Sequence, residues 1–312
     1  MKLNQLPCKL FTYWLLIPIL AMPGCAPKNP TVSPATVQVR TETATSVLLS
    51  PVPSPPYIPV SPLPSSESQI PSPVGRAEPE HMTSNDLEAE YFELPLYTLF
   101  FWTGMVSDSN DYIWIANNQL RIIADFNIER GLGERVISLS QDLKQPPWVT
   151  GLAWDGSKFW VSDVANEMIY QIDPITGKRL EGFTYNDTPT GLAWVDDSLW
   201  IISIDNLAIE KVTSEGERLL SLAIEAKWPT GLAWDGRYFW YSDGYDGTIS
   251  IVNPASGKSE RLDELKFMTT ANTFNGLTWL RNYLWVVNEQ DDRLFRFDVS
   301  QLDWQALNTR LQ

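Results

Sequence analysis

The sequence holds almost none of the side chains that carry nucleophilic or transition-metal chemistry. It has one histidine, His81, and two cysteines, Cys8 and Cys25, in 312 residues. All three lie in the first 86 residues, and the remaining 226 have neither type. Ser-His-Asp and Cys-His catalysis, His-liganded zinc and thiolate sites are therefore excluded from the later part of the chain. Positive charge is also scarce, with 23 Lys and Arg against 38 Asp and Glu and a formal net charge of −15. Binding to nucleic acid needs a basic face, so that partner class is excluded. Docking on anionic lipid by charge is excluded in the same way. The acidity itself reads as a solubility device.

Long apolar runs are missing too. The nearest is Leu10–Met22, too short to span a bilayer and interrupted by Pro18. With Lys2 and Lys9 ahead of it and no acid nearby, it reads as a secretory signal over residues 1–24. The Gly24-Cys25 pair that follows resembles the lipobox of bacterial lipoproteins, in which the cysteine is lipidated and becomes the new N-terminus. Met22 and Pro23 stand where that family usually has Leu and a small residue. The resemblance implies lipidation at Cys25, an extracytoplasmic location in the cell envelope, and a membrane partner reached only through the lipid.

Residues 25–86 are rich in Pro, Ser and Thr, as in Pro51-Val52-Pro53-Ser54-Pro55-Pro56. Such a segment cannot form a regular hydrogen-bond ladder and has few large apolar groups to bury, so it reads as an extended spacer. In the polyproline form it reaches at most roughly 190 Å. Both a stalk that lifts a domain from the membrane and a neutral linker fit that composition.

What the chain does have is tryptophan, 14 residues of it, and most of them recur at a fixed period. Val149-Thr150-Gly151-Leu152-Ala153-Trp154 returns as Pro189 to Trp194, as Pro229 to Trp234 and as Phe274 to Trp279, with glycines at 151, 191, 231 and 276. A second tryptophan follows in each unit, at 160, 200, 240 and 285, and a polar residue ends a third segment at Asp173, Thr213, Asn253 and Asp298. Three landmarks in one register define a repeat of about 40 residues, the period of a propeller blade. Each unit reads as four short strands. Asp173-Pro174-Ile175-Thr176-Gly177-Lys178 and Asn253-Pro254-Ala255-Ser256-Gly257-Lys258 make the hairpin before the fourth. The second strands are apolar on both faces, which places each between two layers and the tryptophans between blades.

A degraded unit precedes these, with Thr103-Gly104-Met105 as first strand and Tyr112 to Asn117 as second. The expected fold is thus an all-β propeller of five four-stranded blades over residues 87–312. Six are possible if Tyr91–Phe101 is the remnant of another. That segment or a C-terminal strand around Trp304 is expected to close the ring, since open edges invite aggregation.

The run Pro-Thr-Gly-Leu-Ala-Trp-Asp-Gly, a second strand ending Trp-Val-Ser-Asp, and Ile-Asp-Pro-x-Thr-Gly-Lys resemble NHL and YncE-type propeller repeats. They are also similar to gluconolactonase-like propellers and to the glutamine cyclotransferase family. The gluconolactonase resemblance implies a divalent metal, Ca²⁺ or Mg²⁺, held by oxygen ligands on the rim. In this sequence Asn117, Asp163, Asp243 and Asn288 are the candidates, with Ser203 at the fifth position and Asp205 near it. A residue of this kind ending a strand also satisfies the backbone of the next turn. The cyclotransferase resemblance implies cyclisation of glutaminyl peptides. That family shows Phe-Thr-Gln-Gly-Leu where this chain has Phe274-Asn275-Gly276-Leu277.

A third reading is a non-catalytic binding module. Trp148, Trp228 and Phe274 precede the Gly-Leu strands, and Tyr245 sits in Gly244-Tyr245-Asp246-Gly247. Aromatics on a loop face stack on sugars or peptides. The reading adopted is an extracytoplasmic lipid-anchored propeller that binds a protein, peptide or glycan there. A metal-dependent lactonase-like or cyclotransferase-like enzyme and a structural envelope protein are the alternatives.

Overall fold

A computed structural model of the protein describes residues 80–83, 88–94, 102–108, 111–130, 133, 135–139, 146–265, 274–288 and 293–312. The signal at 1–24, Cys25 and the spacer up to residue 79 lie outside the described residues.

Two strands come first, β1 (Glu80–Thr83) and β2 (Glu88–Glu93). Blade 1 is β3 (Trp102–Ser107), β4 (Tyr112–Asn117), β5 (Ile122–Asn127) and β6 (Val136–Ser138). Blade 2 is β7 (Val149–Trp154), β8 (Phe159–Asp163), β9 (Met168–Ile172) and β10 (Arg179–Thr184). Blade 3 is β11 (Pro189–Val195), β12 (Ser198–Ser203), β13 (Ala208–Val212) and β14 (Arg218–Ala223). Blade 4 is β15 (Pro229–Trp234), β16 (Phe239–Asp243), β17 (Thr248–Val252) and β18 (Ser259–Leu262). Blade 5 contributes β19 (Phe274–Leu280), β20 (Tyr283–Asn288) and β21 (Arg293–Phe297). Blades 1 to 4 are antiparallel meanders, blade 5 is antiparallel throughout, and the molecule is a five-bladed propeller.

Blade 5 takes its fourth strand from the other end of the sequence. β2 pairs with β21, Tyr91 opposite Phe295 and Glu90 opposite Arg296, and β1 adds a fifth strand outside β2. Glu90 and Arg296 form a cross-strand ion pair. The closing strand is therefore N-terminal and reaches back to Glu88, and β1 falls inside the stretch 25–86 whose composition reads as spacer. The segment around Trp304 is not a strand. Asp303 accepts from the Ala306 N–H at 3.0 Å and starts a helix, α1 (Trp304–Leu311), made of good helix formers. It lies against blade 4, with Trp304 stacked on Tyr238, Asn308 accepting from the Tyr238 hydroxyl, and the Leu311 carbonyl bound by Asn253 and Ser256.

The repeat residues do the work of joining blades. Trp114 meets Phe159, Trp160 stacks on Trp194, Trp200 meets Phe239, and Trp240 stacks on Trp279. Phe92 of β2 fills the last interface between Trp285 and Phe126. The glycine of each Thr-Gly-Leu is fixed by close approach of the inner strands. A Cβ at Gly151 would stand 2.1 Å from the Thr190 carbonyl, and one at Gly276 would stand 2.3 Å from the Thr103 carbonyl. Inner strands of non-adjacent blades also come within 8 Å, Cα to Cα, across the axis, so the channel is narrow.

Candidate functional site

One face of the propeller carries the starts of the first strands and the turns between second and third strands. It is called the upper face. The rim positions Asn117, Asp163, Ser203, Asp243 and Asn288 all end second strands there, one per blade, and all five are buried.

Their side chains hold the local backbone. Asp163 accepts from the N–H groups of Trp148 (3.0 Å), Ala165 (3.1 Å) and Asn166 (3.3 Å), and from Asn166 Nδ2 and the Tyr170 hydroxyl. Asp243 accepts from the N–H groups of Lys227 (2.6 Å), Trp228 (3.1 Å) and Tyr245 (2.9 Å). Asn117 Oδ1 accepts from the Leu120 N–H, and Ser203 Oγ from that of Asn206. Each of these groups therefore ties a second strand to its own turn, and the two aspartates also fix the start of the first strand. Among the described residues no group of three or more His, Cys, Asp or Glu stands close enough to hold a metal ion. Asp205 does similar work one turn further out, accepting from the Thr188 N–H at 2.7 Å.

The aromatic candidates divide. Trp148 is 42% exposed and Tyr245 is 66% exposed. Trp228 is half-buried beside Gly244, and Lys227 lies over the Tyr245 ring with Nζ 4.4 Å from its centroid. Blade 4 thus presents a Lys-Trp-Tyr cluster whose backbone Asp243 fixes, and blade 2 presents Trp148 held by Asp163. Phe274 does not belong with them, being buried in the core at 1% exposure. In the repeat it occupies the position of Val149, Pro189 and Pro229, one residue later than Trp148 and Trp228. A shift of one residue on a strand turns the side chain to the opposite face. Its carbonyl accepts from Thr230 of the neighbouring blade.

One polar cluster escapes the repeat logic. Glu210 on β13 is buried and binds the Tyr185 hydroxyl, Asn206 Nδ2 and Arg218 Nε, while Asp187 binds Arg218 and Asn206. Burial first, and then the Glu210 carboxylate, push the Tyr185 hydroxyl far above its ordinary pKa. The same position in the other blades holds Ala124, Tyr170, Ser250 and Phe295, so a break in repeat symmetry was the available signal. Arg218 is half-exposed and the carboxylates are saturated by donors, which makes the cluster an ionic seam between blades 2 and 3.

No protein-family model matches the chain, and neither does any curated protein sequence. Its structure is similar to that of Myxococcus xanthus glutaminyl cyclase, with a TM-score of 0.54, 11% identity, and 66% of this chain and 93% of that one covered. A Bacteroides thetaiotaomicron protein of unknown function gives a TM-score of 0.50 at 11% identity, with 72% of each chain covered. Virginiamycin B lyase from Staphylococcus aureus gives 0.43 at 16% identity, over 69% of this chain and 71% of that one. At 11% identity the likeness to the first two is one of fold, and the fold shared is the β-propeller.

Proposed function

We propose that this protein is a non-catalytic binding propeller of the cell envelope, lipid-anchored at Cys25 after removal of residues 1–24. Its upper face takes a protein, peptide or glycan partner. The observation that carries this reading is the exposure of Trp148 and Tyr245 on backbone that buried Asp163 and Asp243 hold in place. Exposed aromatics on a fixed frame lose little entropy on binding, which is the economy of a recognition surface. The narrow axis also argues against a substrate seated in the channel.

The test is binding of the purified protein to peptide and glycan arrays, beside a Trp148→Ala/Tyr245→Ala variant with an unchanged circular dichroism spectrum. The reading expects a ligand that the variant loses. Retention by the variant of every ligand overturns it. Turnover of a lactone or a glutaminyl peptide, dependent on Ca²⁺ or Mg²⁺ at Asn117, Asp163, Asp243 or Asn288, replaces it with an enzyme. The anchor is tested separately. Cys25→Ser should move the protein from the membrane fraction to the soluble one.

A further inference from the structure

A cleft of about 560 Å³ opens between blades 5 and 1, lined by Ile128, Glu129, Arg130, Arg281, Tyr283 and Trp285, with Arg296 completing it. Ile128, Glu129 and Arg130 come from the turn after β5, Arg281 from the turn between β19 and β20, Tyr283 and Trp285 from β20 and Arg296 from β21, and the two turns lie at the opposite end of the blades from Trp148 and Tyr245. In a chain of net charge −15, this cleft brings three guanidinium groups together, with Glu129 in its lining and Asp111 and Glu90 paired to two of them.

Arg281 and Arg296 are positioned but not used up. Arg281 gives Nε and Nη2 to Asp111 and Nη2 also to Glu129. Its Nη1 has no partner among the described residues. Arg296 is ion-paired with Glu90 through Nη2, and its group lies over the rings of Tyr283 (4.6 Å) and Trp285 (5.5 Å). Its Nε and Nη1 have no partner among the described residues. An arginine carries five N–H donors in a rigid fork that suits oxyanions. Here two such forks have their orientation fixed by carboxylates on one side and keep donors available on the other. The volume is that of a small-molecule site, and Tyr283 and Ile128 supply a less polar wall.

We propose that this cleft is an oxyanion-binding site for a small ligand carrying carboxylate or phosphate groups. Arg281 and Arg296 supply the hydrogen-bond donors. The site is independent of the upper face and of whatever binds there.

Isothermal titration of the full chain with citrate and with inorganic phosphate tests it, at low and high NaCl, with glycerol as a neutral control. Binding is expected for at least one anion and not for glycerol, weakening as salt rises. Preference for citrate assigns carboxylate ligands, and preference for phosphate assigns phosphate ligands. Arg281→Gln is expected to weaken binding about tenfold or more. Asp111→Asn removes a competing carboxylate and should tighten it. These two variants move in opposite directions, so general damage to the fold cannot imitate the pattern. Absence of binding by both anions overturns the proposal, as does binding that neither variant changes.

Discussion

Thr230 Oγ1 donates to the carbonyl of Phe274 at 2.5 Å, crossing from the inner strand of blade 4 to that of blade 5. The same bond runs from Thr103 to Val149 (2.7 Å), from Thr150 to Pro189 (2.9 Å) and from Thr190 to Pro229 (2.9 Å). Asn275 Nδ2 reaches the Trp102 carbonyl at 3.5 Å and completes the circuit. A threonine one residue before the glycine thus ties each of blades 1 to 4 to the next, and an asparagine does so for blade 5. Thr230→Val keeps the shape and removes the donor. It also removes one of two partners of Ser242 Oγ, at 2.8 Å, and leaves the Gly231 N–H bonded to that oxygen. The expected loss is about 1–3 kcal/mol, because the carbonyl left behind is buried. Urea unfolding measures it, and an unchanged midpoint would contradict the role.

The glycine that follows is under a stricter demand. Ala at 276 would place Cβ 2.3 Å from a backbone carbonyl of blade 1, and only separation of the two blades relieves that contact. Gly276→Ala is expected to cost more than about 3 kcal/mol or to abolish folding. Gly236 offers the control. It has φ +98° and open space within 4 Å of where a Cβ would stand, so Gly236→Ala carries only the left-handed backbone penalty of about 1–2 kcal/mol. Thermal melting of the two variants should rank them in that order.

Those landmarks are legible in the sequence because they repeat. Gly151, Trp160 and the Asp173 hairpin recur at one period, and recurrence separates packing residues from chance. The blade count and the tryptophan interfaces follow from it. What does not repeat is harder to read. The C-terminal helix has no counterpart in any blade, and its apolar face, Leu307 and Leu311, makes sense only against Tyr238 and Asn253. The closing strand lies more than 190 residues before its partner β21, beside a Pro-rich segment that hides it. Phe274 is misplaced by one position in the sequence reading because an aromatic before Gly-Leu looks alike in either register, while strand geometry separates the two absolutely. Glu210 carries its signal as a departure from the repeat, which a search for similarity passes over.

Alkaline pH should find the seams between blades. Burial raises the hydroxyl pKa of Tyr170, Tyr185 and Tyr241 above the ordinary value of 10.0, with Asp163 adding to the shift at Tyr170 and Glu210 at Tyr185. Above about pH 10 the unfolded chain releases these protons and the folded one keeps them. The unfolded state then binds fewer protons, so stability is full below that pH and falls as pH rises toward the folded values. Each tyrosine contributes a slope of about 1.4 kcal/mol per pH unit in that window. Denaturant titrations between about pH 9 and 11.5 should show the fall. Tyr170→Phe should flatten it by about one proton, and an unchanged slope would refute the assignment.

The rim offers the decisive comparison between a turn residue and a metal ligand. Asp163 accepts three backbone N–H groups, one of them that of Trp148, and it is buried. If these bonds are its role, Asp163→Ala leaves part-buried backbone donors and the buried Tyr170 hydroxyl unpaired and costs about 1–3 kcal/mol whether or not a divalent ion is present. Melting in EDTA and in Ca²⁺ or Mg²⁺ would then give the same loss. If the carboxylate also held an ion, the wild type would gain stability with metal, by about 2.7 kcal/mol at a hundredfold excess over Kd, and the variant would not. The geometry favours the first outcome, since the Asp163 oxygens already face the turn and the Tyr170 hydroxyl. The same substitution also reports on binding at the upper face. Trp148 precedes β7 with its N–H on the Asp163 carboxylate, so the binding role proposed for this face predicts that affinity drops in Asp163→Ala even though Asp163 is too buried to touch a partner. Trp148→Ala should lower that affinity with little loss of stability, because its ring is exposed and its N–H remains. Parallel losses of affinity with unequal losses of stability would support the proposed division between a binding ring and a positioning carboxylate.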